Sequence, residues 1–122
     1  MTNFEMVEKF MTAFEQEVNT SVRLPGYDIE KLRVELIREE LGELIQAIKD
    51  ENTVEIADAL TDLLYVVYGA GHAFGIDLDK CFKAVHDSNM SKLGSDGKPI
   101  YRDDGKVLKG PKFYQPDLEK CL

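Results

Sequence analysis

The sequence predicts an all-α fold, a helical bundle of four main helices with a glycine-rich C-terminal arm, and three observations carry that expectation. Apolar residues recur at intervals of three and four through most of the chain as far as Met90, the period of a helix with one buried face. Breaks interrupt that pattern at Pro25-Gly26, Glu51-Asn52 and Gly75. Beyond Met90, Gly94, Gly97, Gly105 and Gly110 with Pro99, Pro111 and Pro116 exclude a long helix.

Each element follows from local signals. Asn3 can cap a first helix in which Phe4, Val7, Phe10, Met11 and Phe14 form one stripe, ending near Val18. Asp28 is the expected cap of a second helix running to about Asp50. On a wheel of about 100° per residue its Val34, Leu36, Ile37, Leu41, Leu44, Ile45 and Ile48 gather on one broad face. Thr53 can cap a third helix that is apolar nearly all round, from Ile56 through Leu60, Leu63, Leu64, Val67 and Phe74, which predicts a central, buried helix closed by Gly75. Asp77 begins a fourth, with Leu78, Cys81, Phe82 and Val85 on its inner side, to about Met90. In the arm, Asp104-Gly105 between Ile100-Tyr101 and Val107-Leu108 fits a small hairpin.

At 122 residues the chain is expected to be one domain, with a helical body over about 3–92 and an arm over about 93–122. The net charge of -8 argues against a binder of nucleic-acid polymers, which needs a basic face. From Ser88 onward seven basic residues outnumber five acidic ones, so a slightly basic arm follows an acidic body. Cys81 and Cys121 fit no metal or redox spacing and are expected as free thiols in a reducing cytoplasm. Met1 to Phe14 lacks the features of a signal peptide. The uncharged run Leu63 to Ile76 is shorter than the roughly 20 residues of a membrane helix.

The informative residues are acids in apolar company. Glu40 falls inside the apolar arc of the second helix, with Glu43 at its edge and Glu39 just beyond. On the third helix Glu55, Asp58 and Asp62 occupy one stripe of roughly 60°. Carboxylates converging from two helices must pair with Arg or Lys or hold a cation, and all-oxygen donors without His or Cys suit Mg²⁺ or Mn²⁺. Mg²⁺ is usually shared with phosphate oxygens, and Lys92, Lys98, Arg102, Lys106 and Lys109 of the arm could neutralise them. Taken alone, the spacing fits a solvated acidic stripe equally well. His72 and His86 read as structural or exposed, and Tyr65 and Tyr68 as core or interface.

The pattern Glu39-Glu40-x-x-Glu43 followed by Glu55-x-x-Asp58 resembles the ExxE…ExxD signature of the all-α nucleotide pyrophosphohydrolases. The runs Ala57-Asp58-Ala59-Leu60-Thr61-Asp62, Ser88-Asn89-Met90-Ser91-Lys92 and Gly105-Lys106-Val107-Leu108-Lys109 resemble its MazG-like, phosphoribosyl-ATP-pyrophosphohydrolase-like branch. The resemblance implies hydrolysis of a nucleoside triphosphate, dUTP or another non-standard nucleotide among the candidates, to monophosphate and pyrophosphate. It implies Mg²⁺ or Mn²⁺ as cofactor and a homodimer or dimer of dimers joined through the bundle.

Carried over by motif, Glu40, Glu43, Glu55 and Asp58 would hold metal and Glu39 would orient or deprotonate the attacking water. Asp62 would stand in support or take a second metal. Asn89, Lys92, Arg102, Lys106 and Lys109 would contact the nucleotide. Only eleven residues separate Glu43 from Glu55, which leaves little room for a substrate-selecting insertion. The alternatives are a phosphoribosyl-ATP pyrophosphohydrolase and a non-catalytic helical binding module.

Overall fold

A computed structural model describes all of Met1–Leu122. It contains the helices α1 (Asn3–Ala13), α2 (Tyr27–Lys49), α3 (Thr53–Phe74) and α4 (Leu78–Met90), with a short 3-10 helix at Leu118–Cys121 and no strand. The protein is therefore all-α. Its residues gather into two compact units, Met1–Ile76 and Asp77–Leu122.

In the first unit α1 and α2 both pack on α3. Thr2, one residue before the expected cap, starts α1 with a reciprocal box: its hydroxyl accepts the Glu5 N–H at 3.1 Å while the Glu5 carboxylate accepts the Thr2 N–H at 2.8 Å. The helix stops at Ala13 rather than near Val18. Glu15 adopts a left-handed φ of 58° and the Gln16 N–H turns back to the Met11 carbonyl at 2.8 Å. Gly26 precedes α2, and Glu30 reaches back to accept its N–H at 2.9 Å, so Asp28 lies inside the first turn instead of capping it. Asn52, not Thr53, caps α3 by accepting the Glu55 N–H at 3.1 Å.

The C-terminal carbonyls of α3 would be orphans in a bare helix. Here the α1–α2 connection supplies donors: the Asn19 N–H reaches His72 O at 2.8 Å, Asn19 Nδ2 reaches Ala73 O at 2.6 Å, and the Arg23 N–H reaches Phe74 O at 3.0 Å. Gly75 closes the helix with φ 67°, where a Cβ would meet the Ser21 carbonyl at 2.0 Å, so no larger residue fits. His72 is structural: it is buried, its Nε2 lies 2.7 Å from Phe4 O, and its ring stacks on Phe4 at 3.7 Å. His86 is exposed.

The buried apolar residues are Phe4, Val7 and Met11 of α1 together with Ala47 of α2 and Ala59 and Ala73 of α3, a small core in which the two long helices contribute only alanine. The expectation that α3 is buried all round does not hold for the single chain. Leu60, Leu64 and Val67 of α3, like Leu41, Ile45 and Ile48 of α2, are between 39% and 55% exposed. Each trio follows a helical period of three and four, so one apolar face of each helix stands about half open to solvent.

The second unit begins with Asp77, whose carboxylate accepts the Lys80 N–H at 3.1 Å and caps α4 as expected. The buried Ser88 donates its hydroxyl to Tyr114 O at 2.7 Å, tying the following segment to α4. A minimal hairpin forms around Asp104-Gly105: Tyr101 and Val107 make an antiparallel bridge, and the Leu108 N–H reaches Ile100 O at 2.7 Å. Cys81 and Cys121 are free thiols.

Candidate active site

Only Asp50, Glu51 and Asn52 separate α2 from α3, and so short a link makes the helices antiparallel neighbours. Glu51 takes a left-handed φ of 52°, and the Asn52 N–H returns to Ala47 O at 3.2 Å. This tight reversal fixes the register of the two acidic stretches. Glu40 and Glu43 from α2 and Asp62 from α3 each place a carboxylate oxygen within 4.8 Å of the others.

The electrostatics of that trio are unfavourable as they stand. No ion pair in the chain involves any of the three. Glu40 Oε2 is buried without a hydrogen-bond partner. Burial, then a hydrogen bond shared with Glu43 and the charges of Glu43, Asp62 and Glu39, push the Glu40 carboxyl above its ordinary range. Burial first, then the charges of Asp58 and Glu43 and a hydrogen bond with Asp58, push Asp62 up as well. Three carboxylates, one of which carries a buried oxygen without a partner, with no cation paired to them, fit a divalent ion.

The other residues singled out from the sequence fall as follows. Asp58 touches Asp62 from the turn before it, and Glu39 is exposed beside Glu40. Glu55 is exposed in the first turn of α3, outside the trio. Asp62, given a supporting part or a second metal from the sequence, lies together with Glu40 and Glu43.

Asn89, Lys92, Arg102, Lys106 and Lys109 lie in the second unit. Asn89 ends α4 exposed, and the Lys92 carbonyl accepts the Gly110 N–H at 2.8 Å. Arg102 pairs with Asp104 through Nε at 2.9 Å, the Lys106 N–H bonds the same carboxylate at 3.1 Å, and Lys109 Nζ lies 4.9 Å from the Phe113 ring centre.

Two further polar residues were not singled out from the sequence. Arg33 is 6% exposed, and with Gln16 it lines the same cavity as Glu40 and Asp62. The signal was present: on the α2 wheel Arg33 falls in one arc with Leu36, Glu40 and Ala47, where a charge is as anomalous as Glu40 itself.

The Phosphoribosyl-ATP pyrophosphohydrolase family model matches residues 7–89, which contain every one of these acids. An uncharacterised protein of Acanthamoeba polyphaga mimivirus is 38% identical over 99% of the chain, which spans 48% of that protein's length. A solved structure from Exiguobacterium sp. 255-15, provisionally described as an NTP pyrophosphohydrolase, is similar with a TM-score of 0.55 and 25% identity, covering 98% of this chain and 93% of that one.

Proposed function

Since this chain belongs to the phosphoribosyl-ATP pyrophosphohydrolase family, within the MazG-like all-α nucleotide pyrophosphohydrolases, we propose that it hydrolyses a nucleoside triphosphate to the monophosphate and pyrophosphate, with Mg²⁺ or Mn²⁺. The observation that carries this reading is the convergence of Glu40, Glu43 and Asp62 within 4.8 Å with no counter-cation of the protein's own.

Glu40, Glu43 and Asp62 would hold the ion, with Asp58 and, one turn earlier, Glu55 on the same side of α3. When bound, it would supply Lewis-acid stabilisation of charge on the phosphate oxygens. The chain's residues do the rest. Glu39, exposed at the rim, takes the proton of the attacking water, which displaces pyrophosphate from the α-phosphorus. No nucleophilic side chain is required, because water makes the new P–O bond while the phosphoanhydride bond breaks. Asn89, Lys92, Arg102, Lys106 and Lys109 would bind phosphate and sugar oxygens.

The exposed apolar faces of α2 and α3 support a homodimer or dimer of dimers built through the bundle. No helix is long and apolar enough to cross a membrane; the unpaired thiols fit a reducing, cytoplasmic setting.

The test is a panel of dUTP, the other deoxynucleoside triphosphates, ATP and phosphoribosyl-ATP, each with Mg²⁺, Mn²⁺ or EDTA, resolving monophosphate, diphosphate and pyrophosphate. Metal-dependent monophosphate and pyrophosphate are expected. Turnover of phosphoribosyl-ATP alone would transfer the reading to that substrate, and no product from any nucleotide would leave a helical binding module.

A further inference from the structure

A cavity of about 330 Å³ opens between α1, α2 and α3, and its two ends differ in chemistry. Glu40 and Asp62 face one end. At the other stands Arg33, opposite Gly69 of α3, where a Cβ would come within 2.7 Å of Arg33 Nη1. Arg33 precedes Glu40 by two helical turns on α2, and Gly69 follows Asp62 by two turns on α3, so the ends lie about 10 Å apart. That is close to the span from the outer edge of a nucleobase to its 5′-phosphate. Phe10, Met11, Leu36 and Tyr65 make the walls between them predominantly apolar.

Arg33 lacks what a structural arginine has. It is 6% exposed and joins no ion pair. Its Nε is buried with no hydrogen-bond partner. Gln16 Oε1 approaches Nη2 at 3.5 Å, the outer limit of a hydrogen bond. A buried guanidinium in this condition is costly unless a ligand completes it. Gly69, a residue disfavoured within a helix, leaves the room the guanidinium occupies.

We propose that this cavity is the nucleobase subsite, and that Arg33, assisted by Gln16, selects bases with a carbonyl oxygen at the edge remote from the sugar. Uracil, thymine, guanine and hypoxanthine carry such an oxygen; cytosine and adenine carry an amino group there. The assignment rests on the pyrophosphohydrolase reading of the carboxylates. A phosphate at the Arg33 end would have one cationic partner among apolar walls, whereas a flat heterocycle fits those walls and offers the acceptors a donor-only fork requires. An amino group would set donor against donor. Gln16, with both a donor and an acceptor, can take the neighbouring ring N–H of an oxo base.

The test compares kcat/KM for dUTP against dCTP and for dITP against dATP, with Mg²⁺, in the full chain and in Arg33→Met, Arg33→Lys and Gln16→Ala. The oxo member of each pair should lead by roughly 10- to 100-fold in the unaltered protein. Arg33→Met should bring both ratios to within about threefold of unity, with Arg33→Lys, which keeps the charge but loses the fork, between. Equal or reversed ratios in the unaltered protein, or ratios that Arg33 and Gln16 variants leave unchanged, overturn the assignment. If Arg33→Met loses its helical circular dichroism, Arg33→Lys and Gln16→Ala decide. Calorimetric titration with dUMP and dCMP in EDTA separates the two readings. Preferential dUMP binding without triphosphate turnover keeps the subsite and sinks the hydrolase; turnover without base preference does the reverse; neither binding nor turnover sinks both.

Discussion

The two units treat their charges in opposite ways. In Asp77–Leu122 the charges pair at the surface: Lys83 with Asp87 at 2.8 Å, Arg102 with Asp104, and Lys120 with Asp117 at 3.6 Å. In Met1–Ile76 the one ion pair, Arg38 with Glu35, is exposed, while the buried Arg33 and the half-buried Glu40 and Asp62 have no ionic partner. Exposed pairs cost little to make and are worth little. Withdrawn, unpaired charges cost stability, and a fold retains them where a ligand completes them.

The largest effect that would break this contrast is catalytic. Glu40→Gln should reduce kcat/KM at least about a thousandfold with helical content intact, as should Asp58→Asn, measured by pyrophosphate release. Full activity in either would return the acids to the surface-stripe reading. Next comes the cation: Mg²⁺ at a hundred times its Kd should stabilise the chain by about 2.7 kcal/mol, a rise in Tm of roughly 5–15 °C. The shift should shrink sharply in Asp62→Asn.

The acids also set a pH dependence. Glu40 and Asp62 are raised in the folded chain, so the fold binds their protons more tightly than the unfolded chain does. Their favourable contribution is complete below the unfolded values and is lost as pH rises through the raised ones. Asp87 and Asp104 are shifted the other way, chiefly by hydrogen bonds to Lys83 and Arg102, and their contribution is lost only in stronger acid, below the ordinary Asp range. Metal-free protein should therefore melt higher at pH 5 than at pH 7. The opposite order would show that the cluster is not strained.

Smaller effects sharpen the comparison. Thr2→Ala removes one half of the α1 box and should cost about 1 kcal/mol by urea denaturation. Arg102→Ala breaks only an exposed pair and should move Tm by no more than about 2 °C, while raising KM if Arg102 meets the nucleotide.

Much of this was legible in the sequence, for physical reasons that differ by residue. Gly75 and Asp77 bounded α3 and α4 because left-handed closure and side-chain capping are local. Glu40, Glu43 and Asp62 stood out because a wheel shows an acid among leucines. The caps at Thr2 and Asn52 were misplaced by one residue because Thr2-Asn3 and Asn52-Thr53 each offer two competent capping side chains in succession. The end of α1 was missed because it depends on a backbone reversal at Glu15, which its side chain does not announce. Periodicity marked α3 as buried without saying whether the same chain would do the burying. Arg33 escaped because a basic residue on a helix defaults to solvent, although the wheel sets it in one arc with Leu36, Glu40 and Ala47; its place beside Gly69 then shows where the guanidinium goes.

The three residues between α2 and α3 have a consequence for how this chain tolerates change. With Glu51 already in a left-handed turn and Asn52 bonded back to Ala47, the reversal has no slack into which a residue could be inserted. An added residue that entered α3 instead would rotate it by about 100° and shift it by about 1.5 Å, dispersing the three oxygens without altering one of them. The length of that link is thus as much a part of the chemistry as the acids are. A deletion or insertion scan should find it far less forgiving than the glycine-rich arm.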